Sequence, residues 1–227
     1  MRGFDFADFL SYFGNAFLWR GVLITLGLTA VPIAAGLVLG TFIALMRMSR
    51  KPILQNIARF YIWIFRGTPL LIQLVIVYTG LPQLGIRLGV VTSALVALTL
   101  NETAYLSEII RSGFMGVPGG QREAALSLGL PPWLVIWKVT LPQAFRLMIP
   151  PLGNSVNGLL KATSITSIIS MEELMRRSQM LMQTKFDVLE VFACAAVLYL
   201  MMTTVWGAFQ RQLEIRFKCE SAVMTEP

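Results

Sequence analysis

The chain contains no histidine, so the commonest general base and metal ligand is missing. It has two cysteines, Cys194 in an apolar run and Cys219 in a polar tail, which is no basis for a disulfide framework. No Gly-x4-Gly-Lys-Ser/Thr phosphate loop is present, so nucleotide hydrolysis of that kind is not built in. No nucleophile–base pair stands out, which argues against a membrane-embedded enzyme. Charge is scarce: 14% of the 227 residues, where a soluble domain carries about a quarter.

Hydrophobic residues make up 56%, and mean hydropathy is +0.68. Residues 21–46 and 191–210 hold no charge. Either run satisfies the roughly 20 residues needed to cross the hydrocarbon core. Further runs cover 57–80, interrupted by Arg66, then 90–110, carrying Glu102 and Glu108, and 133–160, with Pro142 and Pro150-Pro151 as bends. The reading is an all-α membrane protein of about five transmembrane helices. Net charge is +7, with Lys and Arg falling between the apolar runs. That distribution fits a positive-inside bias and attraction to anionic lipid, and not nucleic-acid binding. Arg47, Arg50, Lys51 and Arg59 place the first connection inside, and Arg211, Arg216 and Lys218 place the C-terminus there. The N-terminus and the 81–89 loop then lie outside. Arg176, Arg177 and Lys185 in the outer connection 162–187 are an exception to the rule.

Three regions follow: an N-terminal interfacial amphipathic segment over 1–18, a transmembrane domain over 19–217 and an inner tail over 218–227. The first rests on Phe6, Phe9, Leu10, Phe13 and Phe17 at helical spacing.

Residues 113–138 form an inner loop of different character. Within it, Glu123-Ala124-Ala125, three residues and Gly129 are followed after nine residues by Val139-Thr140-Leu141-Pro142. Small residues let a partner backbone approach, Gly129 permits a sharp exit, and Pro131-Pro132 stop the helix. This spacing resembles the cytoplasmic signature of bacterial ATP-binding-cassette import permeases. Two further stretches resemble the polar amino-acid permeases of the histidine, glutamine and arginine uptake group. They are Phe65-Arg66-Gly67-Thr68-Pro69-Leu70-Leu71-Ile72-Gln73-Leu74 and Ala104-Tyr105-Leu106-Ser107-Glu108-Ile109-Ile110-Arg111, the second followed by Val117-Pro118-Gly119-Gly120-Gln121.

The resemblance implies a type I importer permease in the bacterial inner (cytoplasmic) membrane, N-terminus periplasmic and C-terminus cytoplasmic. It implies a pore of two permease subunits, a dimer of cytoplasmic ATP-binding subunits and a periplasmic solute-binding protein. The chain is then not an enzyme and needs no cofactor or metal. Gln121, Glu123, Ala124, Ala125, Gly129, Leu141 and Pro142 become candidates for coupling to the ATPase. Lys161-Ala162-Thr163-Ser164 resembles a family run in which aspartate is frequent at the second place; alanine here favours a heterodimeric pore. An ion-coupled carrier acting alone is the competing transport class, disfavoured by the missing inverted repeat.

Candidates for the substrate path are Arg66, Thr68, Gln73, Glu102, Tyr105, Asn154, Asn157 and Lys161. Two readings stay open for Arg66: it binds a substrate carboxylate, or it pairs with Glu102 or Glu108. Glu102 in turn holds a substrate's side-chain cation or neutralises Arg66. Asn154, Asn157, Gly158 and Lys161 share one helical face, facing the path, a subunit interface or a neighbouring helix.

Overall fold

The computed structural model describes residues 4–217 and Cys219, and they are all-helical or irregular. The rest of the tail assigned to 218–227 lies outside the described residues. Helix α1 (Phe6–Phe13) begins where the Asp5 carboxylate accepts the Ala7 and Asp8 amides. Gly14 and Asn15 separate it from α2 (Ala16–Met48), which Asn15 caps. α3 (Pro52–Gly67) and α4 (Leu70–Val75) follow, α4 running on through a π turn, Ile76–Gly80, and a 3-10 turn, Leu81–Leu84. α5 (Val90–Met115) is the central helix, its residues from Asn101 to Ala104 buried in succession. Then come α6 (Gly119–Ser127), α7 (Pro132–Val135), a π turn at Ile136–Thr140 and α8 (Leu141–Ala162). A 3-10 turn (Thr163–Ile169), α9 (Leu174–Lys185) and α10 (Val188–Arg216) complete the chain.

Helices α2 and α10 are long and apolar enough to cross a membrane, and α3 with the α4 segment makes a third if counted as one span. The five-span reading also needs α5 and α8, which at 26 and 22 residues have the length but carry more polar side chains. The 57–80 run is not the single span expected: its two halves meet at 103°. Pro69 lacks an N–H and forces Thr68 into extended geometry (φ −116°, ψ 146°), so the helix cannot continue. Pro150 and Pro151, by contrast, lie inside a continuous α8.

Close packing depends on small residues. A Cβ on Gly40 of α2 would stand 3.1 Å from the Ser107 nitrogen and 3.2 Å from the Thr103 carbonyl, so α2 and α5 approach backbone to backbone. Three apolar clusters result. One joins Leu28, Leu74, Leu98 and Leu159; a second joins Leu18, Leu174, Val191 and Leu198; a third joins Ala44, Ile110, Ala144 and Met148. Cys194 and Cys219 are both buried, so the contrast of environments expected between them does not hold.

The N-terminal segment is anchored to α10: the Tyr12 hydroxyl donates to Asp187 (2.8 Å) and the Asp5 amide to Glu190 (2.9 Å). Phe6 and Leu10 on its outer side remain exposed. The connection before α9 is fixed by Glu173, which is fully buried. Its carboxylate accepts the Met175 and Arg176 amides (2.9 Å each) and the Tyr199 hydroxyl (2.8 Å), while Thr25 accepts the Leu174 amide. Burial pushes the Glu173 carboxyl above its ordinary value, outweighing those donors. A raised folded-state value stabilises the fold fully below the unfolded carboxyl range, about 4.3, and that contribution is lost as pH rises through the folded value. The melting midpoint of detergent-solubilised protein is therefore expected to fall with pH across that window. Glu173→Gln should flatten the slope; an unchanged slope assigns the titration to other groups.

Candidate functional site

The 113–138 loop contains a short helix with a defined stop. At the end of α6, Gly129 donates to the Leu126 carbonyl (2.9 Å) and Leu130 to that of Ala125 (3.2 Å). This paired closure requires a left-handed residue, and Gly129 has φ +79°. Gln121, Glu123 and Ala124 are exposed, whereas Ala125 is buried and seats α6 on the loop behind it. Leu128, at the tip, is 82% exposed. α6 packs against α7 and the Ile136–Thr140 π turn, so it is tied directly to the base of α8. Leu141 and Pro142 form the first turn of α8. Because Pro142 has no N–H, the Lys138 carbonyl loses its α-helical donor; the turn widens, and the Gln143 side-chain Nε2 donates back to the Val139 carbonyl (3.0 Å). The other π turn likewise precedes Leu-Pro-Gln, at residues 81–83.

Arg66 occupies the last turn of α3 and is exposed beside the 103° bend, not at the middle of a straight span. Its guanidinium lies over the Tyr105 ring, 5.1 Å from the centroid. Neither expected ion pair forms. Glu108 bonds Arg111 (2.8 Å) and approaches Arg47 (3.8 Å), bracing α5 and tying it to α2. Glu102 is buried and accepts the Ser155 hydroxyl of α8 (2.8 Å); no cation lies within ion-pairing distance of it among the described residues. The reading in which Glu102 simply neutralises Arg66 is thereby overturned. On α8, Asn154, Gly158 and Lys161 are exposed. Asn157 is half-buried, and its side-chain carbonyl is buried without a partner among the described residues. Gly158 faces open space, with none of the described residues within 4 Å of where a Cβ would stand.

Gln73 is buried and committed to the bend. Its amide nitrogen donates to the Phe65 carbonyl (2.9 Å), the Thr68 carbonyl (3.1 Å) and the Thr68 hydroxyl (2.9 Å). Its oxygen accepts the Asn101 amide (3.0 Å), which also donates to Phe65 (3.1 Å). Broken backbone at membrane depth is tolerated when protein groups satisfy it, and these two amides do so.

Residues 36–218 match the family model of the binding-protein-dependent transport system inner membrane component. The chain belongs to that family. It is 38% identical over 198 residues to the probable amino-acid ABC transporter permease protein YckA of Bacillus subtilis, covering 87% of this chain and 88% of that one. It is 40% identical to the octopine transport system permease protein OccM of Rhizobium meliloti, covering 85% of each. A crystal structure of an amino acid ABC transporter with histidines superposes with a TM-score of 0.89 at 35% identity, covering 95% of this chain and all of that one.

This permease fold is therefore that of a type I importer subunit, and the family is a transport component of the inner membrane, not a catalyst. Reading the sequence had missed Asn101, Ser155 and Glu173. Each is a polar residue in an apolar neighbourhood, a detectable signal, but the side chains they bond lie 28, 53 and 26 residues away, and only the capping of α9 by Glu173 is local.

Proposed function

We propose that this permease is the membrane-spanning subunit of an ATP-driven, binding-protein-dependent importer of polar amino acids. It spans the membrane about five times, with its N-terminus periplasmic and its C-terminus cytoplasmic. ATP is hydrolysed by a pair of separate cytoplasmic subunits that dock on α6, and a second permease subunit, non-identical to this one, completes the pore. A periplasmic protein delivers the solute. The observation that carries this reading is the presented α6, closed by Gly129 and braced on the π turn at the base of α8. A push on α6 is transmitted to α8, whose Ser155 holds Glu102 of α5.

The substrates are cationic or opine-type amino acids. Among the described residues, Glu102 offers a buried carboxyl outside any ion pair, and Arg66 offers a guanidinium that acts on Glu108 only at longer range. Together they suit a zwitterion bearing an extra positive charge, and the similarity to the octopine transport system permease protein OccM supports the opine reading. Losing one hydrogen bond to a charged group costs about 1.5–3 kcal/mol, or about 10- to 100-fold. Glu102→Gln is expected to lower uptake of labelled arginine by that factor while sparing glutamine. An equal fall for both assigns Glu102 to the fold.

The general test is isolation of the tagged chain with its associated proteins, followed by reconstitution. Recovery of a nucleotide-binding subunit and strictly ATP-dependent uptake are expected. Solute movement by the chain alone would instead establish the ion-coupled carrier.

A further inference from the structure

The ends of α2 and α5 and the start of α6 enclose a cavity of about 440 Å³. That is within the roughly 300–1,000 Å³ of small-molecule sites. Its walls are apolar: Leu45 and Met48 from α2, Phe114 and Met115 from α5, Val117 before α6, and Ile136 from the π turn. Leu45, Met115 and Ile136 are each at least half exposed, so apolar surface is presented to an occupant. Flexible methionines suit an irregular hydrocarbon chain.

The rim has one sign of charge. Arg122 lines the cavity. Arg50 and Lys51 follow Met48 directly after Ser49. None of these three cations is in an ion pair among the described residues, whereas Arg47 and Arg111 nearby are held by Glu108. No acidic residue lines the cavity among the described residues. A soluble anion would leave the apolar walls unused, and a neutral lipid would leave the cations unused.

We infer that this crevice binds one anionic phospholipid of the cytoplasmic leaflet, its acyl chain between α2 and α5 and its phosphate at Arg122, within reach of Arg50 and Lys51. The leaflet follows from the orientation proposed above; the site itself does not depend on it. Basic clefts at the inner membrane surface recognise such headgroups, with each cation contributing about fivefold in affinity. A lipid seated there would brace α6 from the membrane side.

Native mass spectrometry of the full chain in detergent tests this with phosphatidylglycerol and phosphatidylcholine of identical acyl chains. A single phosphatidylglycerol adduct is expected, retained preferentially over phosphatidylcholine. Arg122→Gln should weaken it about fivefold. Met115→Trp, which places bulk in the cavity, should remove it, with an unchanged melting midpoint verifying the fold. Four results would each overturn the site: equal retention of both lipids, adducts indifferent to both variants, equal binding of glycerol phosphate alone, or complete displacement of lipid by a co-purified partner subunit. Loss of ATP-driven uptake with the adduct intact would count against the transport reading and leave the lipid site standing.

Discussion

Glu123→Lys is expected to reduce ATP-driven uptake to background while leaving the permease folded in the membrane. The Glu123 side chain is exposed on α6 and makes no ion pair among the described residues, so charge reversal there should change stability by no more than about 0.5 kcal/mol. Its effect falls on association. Disrupting one partner of a buried charge pair at an interface costs about 2–5 kcal/mol, which is some 30-fold to several thousand-fold in affinity. Recovery of the nucleotide-binding subunit on a tagged permease should drop accordingly. Gly129→Val provides a contrast. It puts a β-branched residue at φ +79° and should disturb the exit from α6, not its chemistry. Both variants should lose uptake, but only the second should change proteolysis around residues 126–132. Full uptake with the Glu123→Lys chain would remove α6 from the coupling route.

Removing the amides behind the bend should have the next largest effect. In Gln73→Ala, the Thr68 carbonyl loses its side-chain donor and the Asn101 amide loses one of its two acceptors, while Phe65 keeps Asn101. A buried polar group left unsatisfied costs about 1–3 kcal/mol, and here more than one is affected. The melting midpoint should fall by several degrees at the least, since about 1 kcal/mol moves a chain of this size by 2–4 °C. Asn101→Ala should cost less, because Gln73 still reaches Phe65 and Thr68. The double variant should cost less than the sum of the two, the sign that both amides serve one structure. Strict additivity would mean they act independently. Falling uptake without falling stability would return Gln73 to the substrate path.

The contrast between those predictions matches what could be read before the fold was known. Helices α2 and α10 were legible because long charge-free runs have one cheap solution in a membrane. The α6 turn was legible because Gly129, Pro131 and Pro132 act through local backbone geometry. The bend at Thr68-Pro69 was visible as a break but not as 103°, because the angle is set by what receives α4: Gln73 must reach back to Phe65 while Asn101 arrives from another helix. The supposed Arg66–Glu102 pair failed for the same reason. Opposite charges on successive apolar runs invite pairing, yet helix rotation turned Glu102 to Ser155 and left Arg66 over Tyr105. Rotation is a tertiary quantity, and composition does not carry it.

Rotation also gives the wide turn at Ile136–Thr140 a meaning beyond relief for Pro142. A π turn holds an additional residue relative to an α turn, and one residue corresponds to about 100° around a helix axis. That surplus acts as a phase offset between the segment touching α6 and everything downstream. Without it, Asn154, Gly158 and Lys161 would point about a quarter-circle away, and a face bearing different chemistry would stand in their place.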